Sequence, residues 1–364
     1  MSTSHFIHSL FRPEVLALSA YHVANASGFI KLDAMENPYT WPQSLTDQWL
    51  ARLTHCQLNR YPDPQAQQLS SALKLRNQLP ESVDILLGNG SDEIIQLLLM
   101  ALPPNSHVLS TTPSFVMYKQ ISDSLGLHYH GVALREDNFD LDLPAMLNAI
   151  EQHRPAIIFL AYPNNPTGNL FDVTAIERII EVAHGLVIID EAYEPFANNA
   201  SFMHKVMHKV LVMRTVSKLG LAGLRLGYLV GDTEIITQLH KIRLPYNINV
   251  LTQASVQFAL DNHAIFDAQT KAICVERTAL YDALNALSGI CAYKSAANFI
   301  LFKAPQEEAG RIFESLKSQG ILIKNMSPQG GLLRDCLRVT VGTPEENQAF
   351  LNALKIALND SLRG

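Results

Sequence analysis

The 364-residue sequence is poor in cysteine, has no concentration of positive charge and contains no long apolar run. Its four cysteines, Cys56, Cys274, Cys291 and Cys336, are scattered and form no CxxC pair, so we expect reduced and mostly buried thiols. Lys and Arg number 28 against 34 Asp and Glu, a net charge of −6, and no basic stripe is present. This composition argues against nucleic acid and anionic membrane as partners.

The sequence also lacks the segments that direct proteins to membranes. No apolar run reaches the length of a membrane span. The N-terminal stretch MSTSHFIHSLFRPE has no basic region followed by an apolar run, so it does not resemble a signal peptide. We therefore expect a cytoplasmic protein.

The length and the pattern of apolar residues predict two domains. From about residue 40 to about 260, short apolar runs alternate with helical patterns such as 91–101 and 172–184, which indicates an α/β domain. The continuous apolar runs favour a mostly parallel sheet covered by helices on both faces. The predicted strands are Asp84–Gly88, His107–Thr111, Ala156–Ala161, Leu186–Asp190, Val210–Met213 and Leu226–Val230.

After about residue 262 the pattern changes to that of a smaller α+β domain. A long helix is predicted over 264–288, followed by alternating strands at 297–304 and 336–342. Thr343, Pro344 and Glu346 form a capping-box pattern that predicts the start of the last helix. We predict a large domain over 39–262, and an N-terminal arm (1–38) with a small domain (263–364).

The stretch GNGSDE (88–93) places a glycine-rich turn between a predicted strand and a predicted helix. Free N–H groups at a helix start bind anions, and Gly90 would allow a phosphate to approach closely. Glu93 stands where a dinucleotide-binding fingerprint has its third glycine, so that fingerprint is absent. Taken alone, the stretch is more typical of an ordinary turn capped by Ser91 or Asp92.

Two further stretches put polar side chains after predicted strands. YPNNPTG (162–168) offers the Asn165 amide to a ligand, or is simply a rigid turn. LVIIDEAYEPF (186–196) ends a buried strand in Asp190, with Tyr193 three residues later. A buried carboxylate needs a cation or several donors. Asp190 could therefore ligate a metal, orient a base or pair with a protonated ring nitrogen.

The stretch VSKLGLAGLRLGY (216–228) sets two cations, Lys218 and Arg225, among apolar residues and glycines. A desolvated lysine has a lowered pKa, and its neutral amine is a nucleophile toward carbonyls. Arg225 offers a planar fork for a phosphate or a carboxylate. Taken alone, this stretch is more typical of a surface loop.

Two pairs of histidines do not suggest a metal site. His204 and His208 are spaced i, i+4 on a predicted helix, but Lys205 stands where a zinc protease has its glutamate, which favours a solvated helix face. His128 and His130 would share a strand face, and no pattern of Cys, Asp or Glu partners accompanies them.

The phosphate-type turn, Asn165, Asp190 and Lys218 all follow predicted strands. A cofactor with a phosphate, a phenolic oxygen, a basic ring nitrogen and an aldehyde would use all four. Pyridoxal 5′-phosphate is such a cofactor.

The order of these motifs resembles the fold-type I aminotransferases over nearly the whole chain. DAMENPY (33–39), RYPD (60–63), GNGSDE, YPNNPTG, SKLGLAGLRLGY and LRVTVGTPEEN are similar in particular to the histidinol-phosphate aminotransferase family. The resemblance implies a pyridoxal-phosphate-dependent transferase fold and a homodimer with shared active sites. It also implies reversible amino transfer between histidinol phosphate and 2-oxoglutarate, a step of histidine biosynthesis.

The resemblance further implies roles for individual residues at the cofactor. Lys218 would hold the cofactor covalently and later carry the substrate proton. Asp190 would pair with the ring nitrogen, Asn165 and Tyr193 would hold the phenolic oxygen, and Phe115 would stack on the ring. The residues implied at the phosphate end are Gly90, Ser91, Asp92, Ser217 and Arg225.

Other implied roles concern the substrate and the second subunit. Tyr61 would reach the cofactor phosphate of the neighbouring subunit. Arg338 would bind the glutamate carboxylate and, in the other half-reaction, the phosphate of histidinol phosphate. The further substrate-binding residues implied are Tyr21, Asn37 and Lys324. The family often has an arginine where Lys324 stands, and it usually spaces the lysine and the phosphate-binding arginine one residue further apart than Lys218 and Arg225.

Three alternatives remain open at this point. An aromatic amino-acid aminotransferase would keep the cofactor and change the substrate, and a decarboxylase of a phosphorylated amino acid would change the reaction on the same fold. A transcription regulator with a borrowed aminotransferase domain would need a DNA-binding module. About 30 residues precede DAMENPY, fewer than an ordinary domain, which argues against the regulator.

Overall fold

The computed structural model describes residues 3–20 and 25–360. Its α-helices are α1 (Thr3–Leu10), α2 (Pro13–Leu16), α3 (Gln43–Leu53), α4 (Gln67–Arg76), α5 (Ser91–Met100), α6 (Val116–Ser124), α7 (Leu143–His153), α8 (Val173–Val182), α9 (Thr233–His240), α10 (Val250–Asp261), α11 (His263–Asn285), α12 (Ala309–Ser318) and α13 (Pro344–Asp360). Its strands are β1 (Ile30–Lys31), β2 (Val83–Gly88), β3 (His107–Thr112), β4 (His128–Ala133), β5 (Ile157–Ala161), β6 (Leu186–Asp190), β7 (Val210–Thr215), β8 (Gly227–Asp232), β9 (Cys291–Ala292), β10 (Phe299–Lys303), β11 (Ile321–Leu322), β12 (Lys324–Asn325) and β13 (Cys336–Thr340).

The centre of the molecule is a seven-stranded sheet in the order β2-β8-β7-β6-β5-β3-β4. Strands β3 to β7 pair in parallel, and β8 runs antiparallel to its two neighbours, β2 and β7. The predicted mostly parallel mixed sheet is therefore confirmed. Six strands end at one edge of the sheet, and β8 begins there, so the loops that carry the predicted motifs meet at that edge.

The inner strands of this sheet carry apolar side chains on both faces. Along β5, Ile157 and Phe159 contact one apolar layer while Ile158 and Leu160 contact the other, and all four side chains are fully buried. Successive strand side chains point to opposite faces, so a strand between two helical layers must be apolar at every position.

A smaller four-stranded antiparallel sheet, in the order β12-β13-β10-β9, is formed by the C-terminal residues. The N-terminal segment joins this part of the chain, because β1 pairs in parallel with β11. These contacts are those expected of an arm and a small domain that associate, and the division at residues 38/39 and 262/263 stays a prediction. The capping box is present: Thr343 N donates to Glu346 Oε2 at 2.9 Å, and Glu346 N donates to Thr343 Oγ1 at 3.3 Å.

Two smaller expectations were wrong. His204 lies in a single 3-10 turn (Met203–Lys205) and His208 has a φ of +50°, so the two do not share a helix face. The thiols are not mostly buried: Cys336 is buried, Cys56 and Cys274 are partly exposed and Cys291 is exposed. No helix in the part of the chain that the structure describes is long and apolar enough to cross a membrane.

Candidate active site

A cavity of about 220 Å³ lies at the edge of the sheet where the parallel strands end. The predicted site residues that line it are Ser91, Asp92, Phe115, Asn165, Asp190, Tyr193, Ser217, Lys218 and Arg225. They come from five segments of the chain, at or just after the ends of β2, β3, β5, β6 and β7, which the pairing of the strands brings to one place.

Asp190, the last residue of β6, is buried at the base of this cavity. Its carboxylate accepts a hydrogen bond from Tyr118 Oη at 2.5 Å and from the backbone N–H of Ala192 at 3.0 Å. Burial raises the pKa of Asp190 to about 6, against the lowering effect of these two bonds. Both of these hydrogen-bond donors are neutral, so neither compensates the charge of the carboxylate. The site is therefore suited to a positively charged partner for Asp190.

Asn165 is the centre of a buried hydrogen-bond network. Its side-chain amide donates to Tyr193 Oη at 3.3 Å, and its carbonyl oxygen accepts from Arg338 Nη1 at 2.6 Å. Arg338 extends from β13 of the smaller sheet, donates to the backbone carbonyl of Asp33 at 3.1 Å and lies over the Phe299 ring. The network thus joins the loop after β5 to the C-terminal sheet and sets a guanidinium beside the cavity.

Lys218 lies in the short 3-10 turn after β7 (Ser217–Leu219) and is partly buried. Its Nζ is 5.5 Å from the centre of the Tyr193 ring. Burial, followed by the positive charge of Arg338, lowers the pKa of Lys218 to about 8. A lysine with this pKa is partly neutral near pH 7 and can act as a nucleophile.

Ser91, Asp92 and Arg225, which also line the cavity, form a candidate anion site. Ser91 and Asp92 begin α5, and Arg225 reaches the same place with its guanidinium 3.5 Å from Asp92 Oδ2. Arg225 has a φ of +48° after the 3-10 turn Ala222–Leu224, and this left-handed conformation turns the chain back toward α5. Gly90 has a φ of +88°, and a Cβ there would lie 2.5 Å from Arg225 Nη2. A helix start and a guanidinium together form a phosphate-type site.

Three predicted site residues, Asn37, Tyr61 and Lys324, do not line the cavity. Asn37 donates to Gln269 Oε1 at 3.0 Å and is not among the side chains that line the cavity. Tyr61 is exposed and stacks on Tyr246, with ring centres 4.5 Å apart. Lys324, in β12, lies opposite Arg338 of β13 in the antiparallel strand register. Tyr21 lies outside the described residues.

Sequence reasoning missed three residues of the site. Tyr118 supports Asp190 from the buried side of α6, Glu36 lines the cavity from the arm, and Thr215 Oγ1 lies 2.9 Å from Ser217 Oγ. The stretch TPSFVMY did point to Phe115, whose ring packs edge to face on Tyr118 at 5.6 Å. The spacing of three residues between them was the available signal for Tyr118.

Comparison with known proteins decides the family. The model of the family described as "Aminotransferase class I and II" matches residues 27–354. The chain belongs to this family. It is an aminotransferase, as its motifs predicted.

Relatives of this aminotransferase are histidinol-phosphate aminotransferases. It is 56% identical to histidinol-phosphate aminotransferase 2 of Nitrosococcus oceani, over 94% of this chain and 96% of that one. It is 49% identical to histidinol-phosphate aminotransferase 1 of Ralstonia nicotianae, over 97% and 95% of the two chains. The family resemblance drawn from the motifs is thereby confirmed.

Solved structures confirm the predicted fold. The histidinol-phosphate aminotransferase of Sinorhizobium meliloti, solved in complex with pyridoxal 5′-phosphate, matches with a TM-score of 0.86 at 21% identity, covering 97% of this chain and 98% of that one. The enzyme of Clostridium acetobutylicum matches with a TM-score of 0.82 at 24% identity, over 90% and 99%.

The cofactor of this family is pyridoxal 5′-phosphate, as predicted, and the residues present fit it. Asp190 is buried and both of its hydrogen-bond donors are neutral, which suits a protonated ring nitrogen as a further partner. Lys218 supplies an amine for the aldehyde, and Gly90 leaves the space that the Arg225 guanidinium occupies.

Proposed function

We propose that this aminotransferase transfers the amino group of glutamate to imidazole-acetol phosphate and, in reverse, that of histidinol phosphate to 2-oxoglutarate. The observation that carries the proposal is one cavity that unites the amine of Lys218, the buried carboxylate of Asp190 and, through Asn165, the guanidinium of Arg338. The identities of 49–56% to enzymes named for this activity support the choice of substrate.

In this proposal Lys218 both anchors the cofactor and moves a proton. Its lowered pKa, about 8, leaves a fraction of the amine neutral at neutral pH. With the cofactor bound, the neutral amine of Lys218 would also be the general base that moves the proton at the substrate Cα. The Tyr193 ring beneath it restricts where the amine can lie.

Asp190 and the Asn165–Tyr193 pair would orient the cofactor, and Asp190 would favour the protonated form of its ring nitrogen. When bound, the cofactor supplies a conjugated cationic ring that accepts the electron pair of the broken Cα–H bond. An ionised Asp190 would favour a proton on the ring nitrogen, and the hydrogen bond from Tyr118 Oη favours the ionised form of Asp190 against the effect of burial. Asn165 Nδ2 and Tyr193 Oη are neutral donors suited to the phenolic oxygen.

Arg338 is proposed to bind the anionic end of each substrate. It is buried, and Asn165 and the Asp33 carbonyl hold its guanidinium in place. Both substrates carry an anionic group besides the reacting amine, a carboxylate in glutamate and a phosphate in histidinol phosphate. Lys324, the cross-strand neighbour of Arg338, would add a second positive charge.

A homodimer with shared sites is part of the proposal, and a cytoplasmic location stays a prediction from the sequence. Tyr61 and Tyr246 form a stacked, exposed pair on the surface rather than at the cavity of their own chain. This position suits a tyrosine that reaches the cofactor phosphate of a second subunit.

Replacing Lys218 tests the cofactor assignment. Purified Lys218→Ala protein should lack the borohydride-sensitive absorbance of the bound cofactor and should lose amino transfer. Lys241→Ala, at an exposed lysine of the same chain, should retain both. Full activity in Lys218→Ala protein would refute the mechanism.

A competition assay tests the substrate. Histidinol phosphate, phenylalanine and tyrosine would be offered together as amino donors to 2-oxoglutarate, with product analysis for each. We expect histidinol phosphate to be preferred. Preference for the aromatic amino acids would identify an aromatic aminotransferase, and release of carbon dioxide in place of glutamate formation would identify a decarboxylase.

A further inference from the structure

Three histidines from separate parts of the chain meet at the edge of the central sheet opposite the cavity. They are His107, the first residue of β3; His130, in the edge strand β4; and His153, the last residue of α7. One ring nitrogen of each lies within 4.8 Å of those of the other two. His107 Nδ1 and His130 Nε2 are 2.8 Å apart and share a hydrogen bond. We call these three residues the histidine cluster.

The fold itself produces this cluster. In the parallel register of β3 and β4, His107 is opposite His128 and Leu109 is opposite His130. His107, His128 and His130 therefore lie on one face of the sheet. Helix α7 packs on both strands, and its last residue brings the His153 ring against that of His130, with ring centres 3.7 Å apart. His128 is exposed at the rim, its ring centre 5.0 Å from that of His107.

The surroundings favour the neutral, metal-binding form of His107 and His130. The three rings of the cluster are partly buried. Burial first, and then the neighbouring histidines, lower the pKa values of His107 and His130. A neutral imidazole carries a free lone pair on one nitrogen, which is the form that binds metals.

We propose that His107, His130 and His153 bind one divalent transition-metal ion of the zinc type, with water completing the coordination. Imidazole nitrogen suits Zn²⁺, Cu²⁺ and Ni²⁺, whereas Mg²⁺ and Ca²⁺ prefer oxygen ligands. Zn–N bonds of about 2.0–2.1 Å place tetrahedral ligand atoms roughly 3.3 Å apart. The three ring nitrogens already lie within 4.8 Å of one another, so binding requires the rings to turn from their stacked arrangement toward a common ion.

This site is separate from the catalytic cavity. His107 begins β3, whereas the cavity lies beyond the other end of that strand, where Phe115 lines it. Six residues of strand separate the two by about 20 Å. The ion would join the edge strand, its neighbour and α7, and would stabilise that edge of the sheet without entering the reaction.

Equilibrium dialysis of the holoenzyme against Zn²⁺ tests the proposal, using wild type, His130→Gln, His153→Gln and a matched control, His204→Gln. His204 is an exposed histidine outside the cluster. Wild type and the control should bind one ion per chain with equal affinity. Either cluster variant should weaken binding by well over tenfold, since loss of a group that merely supports a ligand costs roughly 10- to 100-fold. Aminotransferase activity should stay unchanged in all of them, which shows that they fold.

Two further measurements make the test specific. Co²⁺ in place of Zn²⁺ should give visible d–d absorption in wild type that both cluster variants lack. Zn²⁺ should raise the melting temperature of wild type and of His204→Gln, but not of the cluster variants. Absence of Zn²⁺ binding in wild type, or equal binding by wild type and both cluster variants, would overturn the proposal.

Discussion

At the residue scale, the site depends on a carboxylate whose burial is unfavourable until a cation meets it. Asp190 accepts hydrogen bonds from Tyr118 and Ala192, and its pKa is nevertheless raised to about 6. Enzymes commonly hold groups in such environments where a substrate or cofactor will compensate them. The same residue should therefore lower stability in the cofactor-free protein and support catalysis in the holoenzyme.

Asp190→Asn should separate these two effects. Since the folded-state pKa of about 6 exceeds the ordinary value of 3.8, the native state binds more protons between these values. The free energy of unfolding of cofactor-free wild type should therefore fall as pH rises from about 4 to about 6, by up to roughly 3 kcal/mol. The asparagine variant cannot ionise, so it should lack this fall and be the more stable protein at pH 7. Urea unfolding of both proteins between pH 4 and 8 measures the difference.

Amino transfer by Asp190→Asn should fall in parallel. Loss of one partner of a buried charge pair costs about 3–5 kcal/mol, which corresponds to a decrease of roughly 100-fold or more in kcat. An unchanged kcat, or identical pH dependence of unfolding in the two proteins, would contradict the role given to this carboxylate.

At the element scale, the anion site is formed where a helix start, a 3-10 turn and the start of β8 meet. Gly90 and Arg225 both have positive φ values, +88° and +48°, and they fit against each other because Gly90 has no side chain. A glycine is required there for its φ and for the closeness of the guanidinium.

Gly90→Ala should displace Arg225 and weaken retention of the cofactor. The added Cβ would lie 2.5 Å from Arg225 Nη2, a separation that cannot persist. We expect the affinity for pyridoxal 5′-phosphate to fall at least about tenfold, the effect of losing roughly 1.4 kcal/mol. Spectroscopic titration of cofactor-free protein measures it. The control is Gly223→Ala in the neighbouring turn, where a Cβ meets nothing within 4 Å, and its affinity should match wild type.

The capping box at α13 gives a prediction about stability alone. Thr343→Ala removes the hydroxyl that accepts from Glu346 N, and we expect the free energy of unfolding to fall by about 1 kcal/mol. Denaturant unfolding of the holoenzyme measures it. Thr278→Ala, at an exposed threonine inside α11, is the matched control and should change stability less. A larger loss in the control would show that the cap is not the source of the effect.

At the scale of the whole molecule, the surface holds apolar side chains that a dimer would cover. Tyr61 is 81% exposed and Leu244 is 72% exposed, and the Tyr61–Tyr246 stack brings their segments together. Exposed apolar patches of this kind often mark contacts between subunits.

Leu244→Asp should therefore shift the protein toward monomer and lower its activity, because a charge would have to be buried in the proposed contact. Sedimentation velocity at several concentrations, combined with the amino-transfer assay, measures both effects. Leu75→Asp places the same charge at a leucine that is 81% exposed on α4, and it should change neither property. If the two variants have the same oligomeric state and the same activity, Leu244 does not lie in the subunit contact.

Much of the fold was predictable because its signals are local. Buried strands such as β6, at Leu186–Asp190, are short continuous apolar runs, and the prediction for this strand matches the structure. The capping box at Thr343 is likewise a pattern within four residues. The edge strand β4 is only partly apolar, so it does not form the continuous apolar run that indicates the inner strands. The spacing of His128 and His130 is nevertheless that of one strand face.

The sequence by itself determined the strand and helix pattern, the motif order and hence the family, because each depends on neighbouring residues. Only the tertiary structure decided which distant side chains meet. Tyr118 bonds to Asp190 across 72 positions, Arg338 to Asn165 across 173, and His107 meets His130 and His153. Such contacts follow from sheet register and from how helices pack on the sheet, which are properties of the whole chain and leave no local pattern to read.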